Sequence, residues 1–321
     1  MNIQEASELA KRVVKEVGTH IIGKDQVLEK VMILLLADGH VLWEDYPGLA
    51  KTMISNLFSQ ALGLNFKRIQ FTPDLLPADI TGTYIFNMKT REFEFRQGPI
   101  FANFILGDEI NRAPPKTQSA ILEAMQEYQV TVEGNRFVLE KPFIVVATQN
   151  PLEFEGTFGL PEAQLDRFMA RLRVGYPDND EEVTILENRL ARKTREVRVN
   201  PILDRHTFLE MQKLCEEIYV DREIVQYIVN LVNATRKHNK LSIGASVRGS
   251  ESLLSIARAS ALYNGRDFVL ADDVKNFVVD CLSHRVIVKT GDWLGGFSAE
   301  KIINEIVSNV TAPRKVILAK E

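Results

Sequence analysis

Phe104-Ile105-Leu106-Gly107-Asp108-Glu109 is an apolar run that ends abruptly in two adjacent carboxylates. A buried strand delivers acids to the edge of a sheet in this way, one placed to hold a metal ion and the other to polarise water. About sixty residues upstream stands a phosphate-loop candidate, Asp45-Tyr46-Pro47-Gly48-Leu49-Ala50-Lys51-Thr52. Each signal alone is modest, since an Asp-Glu pair after a strand is ordinarily only a helix start. In this order they imply a chain that binds a nucleoside triphosphate with Mg²⁺ and hydrolyses it.

A phosphate loop works because backbone N–H groups and a helix N-terminus point at the anion. Lys51 is placed to reach the outer phosphates, and the Thr52 hydroxyl to coordinate Mg²⁺. Two positions depart from G-x-x-x-x-G-K-[ST]: Asp45 replaces the first glycine and Ala50 the second. A carboxylate near triphosphate oxygens is repulsive. Asp visits left-handed backbone conformations, so Asp45 is expected to sit in the turn with its side chain directed outward. Asp108 is the second metal-holding candidate and Glu109 the water-activating one. Asn150, at the end of a later strand, can orient the same water. Arg167 sits on an apparent helix and has two readings, a donor to a neighbouring subunit's site or an intrachain partner for Asp166 or Glu162. Arg248, ahead of a helix further on, is a candidate γ-phosphate sensor.

The first half alternates apolar strands with helical patterns, which predicts a parallel sheet flanked by helices. Strands are expected at His40–Trp43, Phe66–Phe71, Phe104–Leu106 and Phe143–Ala147, with helices at Thr52–Leu62 and Lys116–Tyr128. Two hairpins interrupt the alternation. Tyr84 and Phe86 face Phe93 and Phe95, while Val130 and Val132 face Phe137 and Leu139 across Glu133-Gly134-Asn135. After Tyr176-Pro177-Asp178 the pattern becomes helical only, with amphipathic stretches at Asp204–Tyr219, Asp221–Arg236, Val247–Tyr263 and Asp272–Val286. The division expected is an α/β nucleotide-binding domain over 1–178, a linker over 179–203 and a helical lid over 204–321.

Composition narrows the partners. A formal net charge of −4 gives no general reason to expect nucleic acid or an anionic membrane. Cys215 and Cys281 lie far apart and the five histidines are scattered, which argues against zinc and against a disulfide framework. The longest greasy stretch, Val31 to Leu42, is broken by Asp38 and His40 and is too short to span a bilayer. The N-terminus lacks an apolar signal core, so the cytoplasm is the expected compartment.

Longer motifs carry a resemblance. Ile69-Gln70-Phe71-Thr72-Pro73-Asp74-Leu75-Leu76-Pro77-Ala78-Asp79-Ile80-Thr81-Gly82 and Asp108-Glu109-Ile110-Asn111-Arg112-Ala113-Pro114-Pro115-Lys116-Thr117-Gln118 resemble signatures of the MoxR family of AAA+ ATPases. Ala147-Thr148-Gln149-Asn150-Pro151 and Leu160-Pro161-Glu162-Ala163-Gln164-Leu165-Asp166-Arg167-Phe168 complete the set. The likeness runs from about Ile22-Gly23 to His284-Arg285, most of the chain.

The resemblance implies an AAA+ P-loop NTPase core with inserted β-hairpins and a C-terminal all-α lid. It implies a Walker A loop with Lys51 and Thr52, a Walker B with Asp108 and Glu109, sensor 1 at Asn150, an arginine finger at Arg167 and sensor 2 at Arg248. Ile22, Gly23 and the run Asp45, Tyr46, Pro47, Gly48, Leu49, Ala50, Lys51, Thr52, Met53 form the implied ATP-binding set. A homo-oligomeric ring, a hexamer, is implied, with a displaced lid that lets Arg248 serve a neighbour. The implied role is chaperone-like maturation of a client protein complex, with a partner bearing a von Willebrand factor A domain. Two rivals stand beside it: an ATP-driven nucleic-acid remodeller and a nucleotide-locked scaffold with little turnover. The lid's helices, or Trp293 and Gly295-Gly296 near the C-terminus, are the candidates for partner contact.

Overall fold

The computed structural model describes residues 1–150, 158–194, 196–289, 291 and 297–313. Trp293, Gly295 and Gly296 lie outside the described residues. Among the described residues up to 172 are nine strands: β1 (Val41–Glu44), β2 (Phe66–Gln70), β3 (Gly82–Asn87), β4 (Glu92–Gln97), β5 (Phe104–Asp108), β6 (Gln129–Val132), β7 (Asn135–Val138), β8 (Ile144–Gln149) and β9 (Ala170–Leu172). Five of them build one parallel sheet in the order β2-β5-β8-β1-β9. Ile144 to Thr148 of the central β8 are buried, as a strand covered on both faces requires. β9 is only three residues long, too short for its pattern to register in the sequence.

Because the strands are parallel, the sheet has two different ends. The C-terminal end carries the turns after β1, β5 and β8, where ligands bind in open α/β sheets. The N-terminal end is pinned by His40. Its Nδ1 accepts from the Val145 N–H at 3.1 Å and its Nε2 lies 3.1 Å from the Met125 carbonyl. Burial lowers its pKa to about 4, so the ring is neutral and Nε2 is the donor.

The hairpins form as the alternation predicts, with one change of register. Tyr84 pairs with Phe95 and Phe86 with Phe93. In the second hairpin Val130 faces Phe137 and Val132 faces Asn135, a shift of two residues from the expected pairing with Leu139 and Phe137. The turn is tighter than expected because Glu133 and Gly134 both take positive φ, 49° and 83°, the geometry a two-residue turn demands. The Leu139 N–H bonds instead to the Tyr128 carbonyl. Phe95 stacks on Phe137 at 4.2 Å between centroids, and Asn135 donates to the Tyr84 hydroxyl at 2.9 Å. The two hairpins are therefore one packed unit.

Three helical parts of the chain differ from expectation. The segment read as a linker opens with a 14-residue helix, Asn179–Arg192, started by a capping box between Asp178 and Glu181. The single helix expected over Asp272–Val286 is two short ones, Ala271–Lys275 and Val278–Leu282, followed by a strand, Ile287–Val288. Asp273 is buried and held by Arg266 and Ser260, while the Phe277 side chain is buried beyond the break. Anchoring both interrupts a pattern that periodicity alone would continue. Two N-terminal helices, Ile3–Gly18 and Asp25–Leu36, are additions. The first buries Ala6, Ala10, Val13, Val14 and Val17, and it packs on Val247–Tyr263, where Ser7 Oγ donates to the Tyr263 carbonyl at 2.6 Å.

Candidate nucleotide site

The turn from β1 into the helix Lys51–Ala61 forms the phosphate loop. Gly48 (φ 85°) and Ala50 (φ 55°) take its left-handed positions. Asp45 does not, which corrects the expectation drawn from its backbone preferences. Its side chain is occupied otherwise. Asp45 Oδ2 accepts from the N–H groups of Val174 (2.9 Å) and Gly175 (2.8 Å), and Oδ1 from the Tyr46 N–H (2.9 Å). The carboxylate thus staples the loop to the segment that follows β9. Tyr46 stacking on Tyr176 at 5.8 Å adds a second link.

Lys51 lies folded over the loop, donating to the carbonyls of Asp45 (2.6 Å) and Tyr46 (2.9 Å). Burial lowers its pKa, while Asp45, Asp108 and Glu109 act in the opposite sense. The loop lysine and the β5 acids lie at one end of the sheet, because β1 and β5 both run parallel to β8. Thr52 is exposed in the first helical turn. Beside the loop opens a cavity of about 640 Å³ whose walls include Ile21, Ile22, Gly48, Met53, Val174 and Leu186, the mostly apolar lining that a nucleoside base requires. Gly23 is adjacent, at φ 72°, where a Cβ would collide with the Glu181 carboxylate.

At the end of β5 both acids are engaged. Asp108 Oδ1 accepts from Thr148 Oγ1 at 2.6 Å, and Oδ2 pairs with Arg68 at 2.7 Å. Glu109 takes a left-handed conformation, φ 57° and ψ 49°, which costs a non-glycine residue about 1–3 kcal/mol. It is held there by its N–H donating to Thr148 Oγ1 (2.8 Å), and by Gln70 (2.8 Å) and Arg112 (2.9 Å) on its carboxylate. Asn150 follows β8 directly, at the same end of the sheet. Sequence reasoning quoted Thr148 and Gln70 only inside longer motifs and passed over Arg68. The signal was their register: Arg68 and Gln70 alternate on β2, and Gln70 pairs with Asp108.

The donor set fits the ligands. Lys51, open space around Gly48 and a helix N-terminus suit a polyphosphate. Thr52 and Asp108 supply the hard oxygens Mg²⁺ prefers, its remaining positions being taken by water and phosphate. Arg68 is half exposed, so it can swing clear of Asp108.

Arg167 and Arg248 are elsewhere. Arg167 follows a four-residue helix, Glu162–Leu165, and lies in the turn before β9, which corrects its expected helical placement. There the Met169 N–H bonds to the His40 carbonyl, at the N-terminal end of β1. A cavity lined by Gly39, His40, Tyr128, Arg167, Arg248 and Arg285 marks this end. Asp166 does not pair with Arg167. It takes Arg285 at 2.9 Å and Arg248 at 3.6 Å. The Arg167 Nε is buried and makes no hydrogen bond among the described residues. Burial, and next the charge of Arg248, lower its pKa, opposed by Glu123 and Glu127. Arg248 lies in the first turn of Val247–Tyr263. β1 alone separates this end from the phosphate loop by about 13 Å at about 3.3 Å per residue.

The comparisons agree with this geometry. Residues 40–170 match the family described as "ATPase family associated with various cellular activities (AAA)", and residues 233–306 match the AAA lid domain. The sheet, loop and lid therefore define an AAA-type P-loop ATPase fold. The chain is 44% identical to uncharacterized protein YeaC of Bacillus subtilis, over 97% of each chain. It is 41% identical to chaperone MoxR1 of Mycobacterium tuberculosis, over 95% of this chain and 82% of that protein. A solved candidate ATPase from Cytophaga hutchinsonii superposes with a TM-score of 0.90 at 38% identity, covering 97% of both. The chain belongs to the MoxR family of AAA+ ATPases.

Asp45 offers a direct test of whether its carboxylate repels phosphate or builds the loop. Removing it leaves three N–H groups without their acceptor, at about 1–3 kcal/mol for each that stays buried. Asp45→Gly, which restores the commoner loop residue, is expected to weaken ATP binding about tenfold or more. Calorimetric titration checks this, and tighter binding by the variant would show that repulsion dominates.

Proposed function

We propose that the chain hydrolyses Mg-ATP in a homo-oligomeric ring and uses the energy for chaperone-like remodelling of partner proteins. One observation carries the reading: Lys51, Asp108 and Glu109 gather at one end of the sheet, while Arg167 and Arg248 gather at the other. A single chain holds both halves of a phosphoryl-transfer site but does not bring them together. A head-to-tail neighbour would, and repetition of such contacts closes a ring; six subunits is the number the family resemblance supplies.

In the site so completed, the phosphate-loop N–H groups and Lys51 bind the triphosphate. Glu109, released from Gln70 and Arg112, accepts the proton of the attacking water. Asn150 orients that water, and the neighbour's Arg167 and Arg248 stabilise charge on the transferring phosphoryl group. Mg²⁺, held by Thr52 and Asp108, supplies further charge neutralisation when bound.

The paired hairpins favour a protein client over nucleic acid. Ile85, Phe86, Met88 and Phe93 of the first hairpin are exposed, up to 85% for Met88, so the projecting surface is apolar. A partner with a von Willebrand factor A domain rests on the family resemblance. No described helix is long and apolar enough to cross a membrane. The test is phosphate release from Mg-ATP as a function of protein concentration. Specific activity is expected to rise with concentration as subunits complete one another's sites; activity per chain independent of concentration, down to the monomer, would overturn the reading.

A further inference from the structure

Arg285 follows the helix Val278–Leu282, in the part of the chain that matches the AAA lid domain. Its side chain is 2% exposed, a costly place for a charge unless its N–H groups are satisfied. Four of the seven acceptors around it belong to the core, in the turn that carries Arg167. Nε donates to Asp166 Oδ1 at 2.9 Å, Nη1 to the Met169 carbonyl at 3.2 Å, and Nη2 to the carbonyls of Asp166 (3.2 Å) and Phe168 (2.9 Å). On the lid side Nη1 meets the Cys281 carbonyl (2.8 Å) and Sγ (2.9 Å), and Nη2 the Ser252 hydroxyl (3.0 Å).

A guanidinium has five N–H groups, fewer than the acceptors gathered here. Arg285 therefore has none to spare for a phosphate, although it lines the same cavity as Arg167 and Arg248. What it holds is backbone. The Asp166 carbonyl lies in the peptide that leads into Arg167, and the Phe168 carbonyl in the second peptide after it. Because peptides are planar, gripping both fixes the chain on either side of Arg167. His284 adds to the grip: its Nε2 is 2.9 Å from the Phe168 carbonyl, and burial lowers the pKa of the ring, which is neutral and donates there. Little else directs the turn. The helix before it, Glu162–Leu165, buries no residue, and β9 after it is three residues long. Phe168 is buried, which anchors its own side chain and leaves the direction of Arg167 to the bonds on its neighbours.

We propose that Arg285 is a positioning residue for Arg167: from the lid, it sets the backbone that aims this arginine at the site of a neighbouring chain. The proposal rests on the ring reading above and adds to it the residue that holds the donor. A shift of the lid then carries the donated arginine with it.

The test is Arg285→Lys, which keeps a charge near Asp166 but loses the planar fork that reaches several carbonyls at once. A misplacement of about 1 Å costs about 10²-fold in rate, so turnover of Mg-ATP is expected to fall about 10- to 10²-fold while KM stays within about threefold. Two equal mixtures show where the loss lies. Lys51→Ala chains supply a sound arginine, so mixing them with Arg285→Lys chains should restore about a quarter of the parent's turnover, half of the sites having a sound loop and half of those meeting a sound arginine. Arg167→Ala chains supply none, and their mixture should stay at or below the level of Arg285→Lys alone. Recovery with Arg167→Ala and none with Lys51→Ala would place the damage in the variant's own nucleotide site and overturn the proposal. Ser252→Ala removes one neutral acceptor, leaves the charge paired, and decides the matter if the lysine variant does not fold. It should lose about threefold in turnover at unchanged KM; a loss expressed in KM, or parent-like turnover, counts against the positioning role. Lys51→Ala mixed with Arg167→Ala is the control for the ring. No recovery there sinks the ring reading, whereas recovery there without the expected pattern for Arg285→Lys sinks the positioning role alone.

Discussion

Glu109→Gln is expected to lower phosphate release by about 10²–10⁴-fold, the usual contribution of a general base, while Mg-ATP binding stays within about threefold. The change is nearly isosteric and removes the ability to take a proton together with the negative charge. Glu109 is well placed for that loss to be specific. Its backbone is fixed in a left-handed turn by Thr148, and its side chain meets Gln70 and Arg112, not the phosphate loop. A glutamine can still accept from both, so the turn and the loop should be undisturbed. Lys51→Ala is the contrast: it removes the cation folded over the loop and is expected to lose binding itself. Single-turnover hydrolysis together with titration separates the two. Near-normal turnover by Glu109→Gln would move the base elsewhere, with Asp108 the adjacent carboxylate.

Most of this site could be read from the sequence because its parts are local. A glycine-bearing turn between strand and helix, or two acids ending an apolar run, is set by neighbours in the chain, and local sterics place them. Lys51, Thr52, Asp108 and Glu109 needed nothing further. Arg68 and Arg285 were missed for the opposite reason. Arg68 reaches Asp108 only through the register of β2 against β5, and Arg285 reaches Asp166 across 119 positions. Asp45 was located, but its purpose was misjudged. Its repulsion of phosphate could be imagined from composition, whereas its bonds to Val174 and Gly175 depend on where β9 lies. The helix Asn179–Arg192 was hidden by its own surface: without a buried stripe in one chain, its pattern resembled a solvated connection.

Arg167→Ala is expected to cost about 10³–10⁵ in turnover, the range for an arginine supplied to a phosphoryl-transfer site, with ATP binding retained. The geometry gives this variant an unusual property. In its own chain Arg167 lies at the sheet end opposite Lys51, and Asp166 is satisfied by Arg285 and Arg248 without it. Truncation should therefore leave the fold intact. Mixing then distinguishes donation between chains from any role within one. Arg167→Ala subunits keep a complete phosphate loop, and Lys51→Ala subunits keep the arginine. Each alone should be inactive. In an equal mixture about half of the sites offer a sound loop and about half of those face a sound arginine, so activity should return to about a quarter of the parent's. An arginine acting within its own chain leaves every site in the mixture broken, and activity stays at the floor. Recovery requires two chains to share one reaction, a division of labour already visible in the placement of acids and arginines at opposite ends of the sheet.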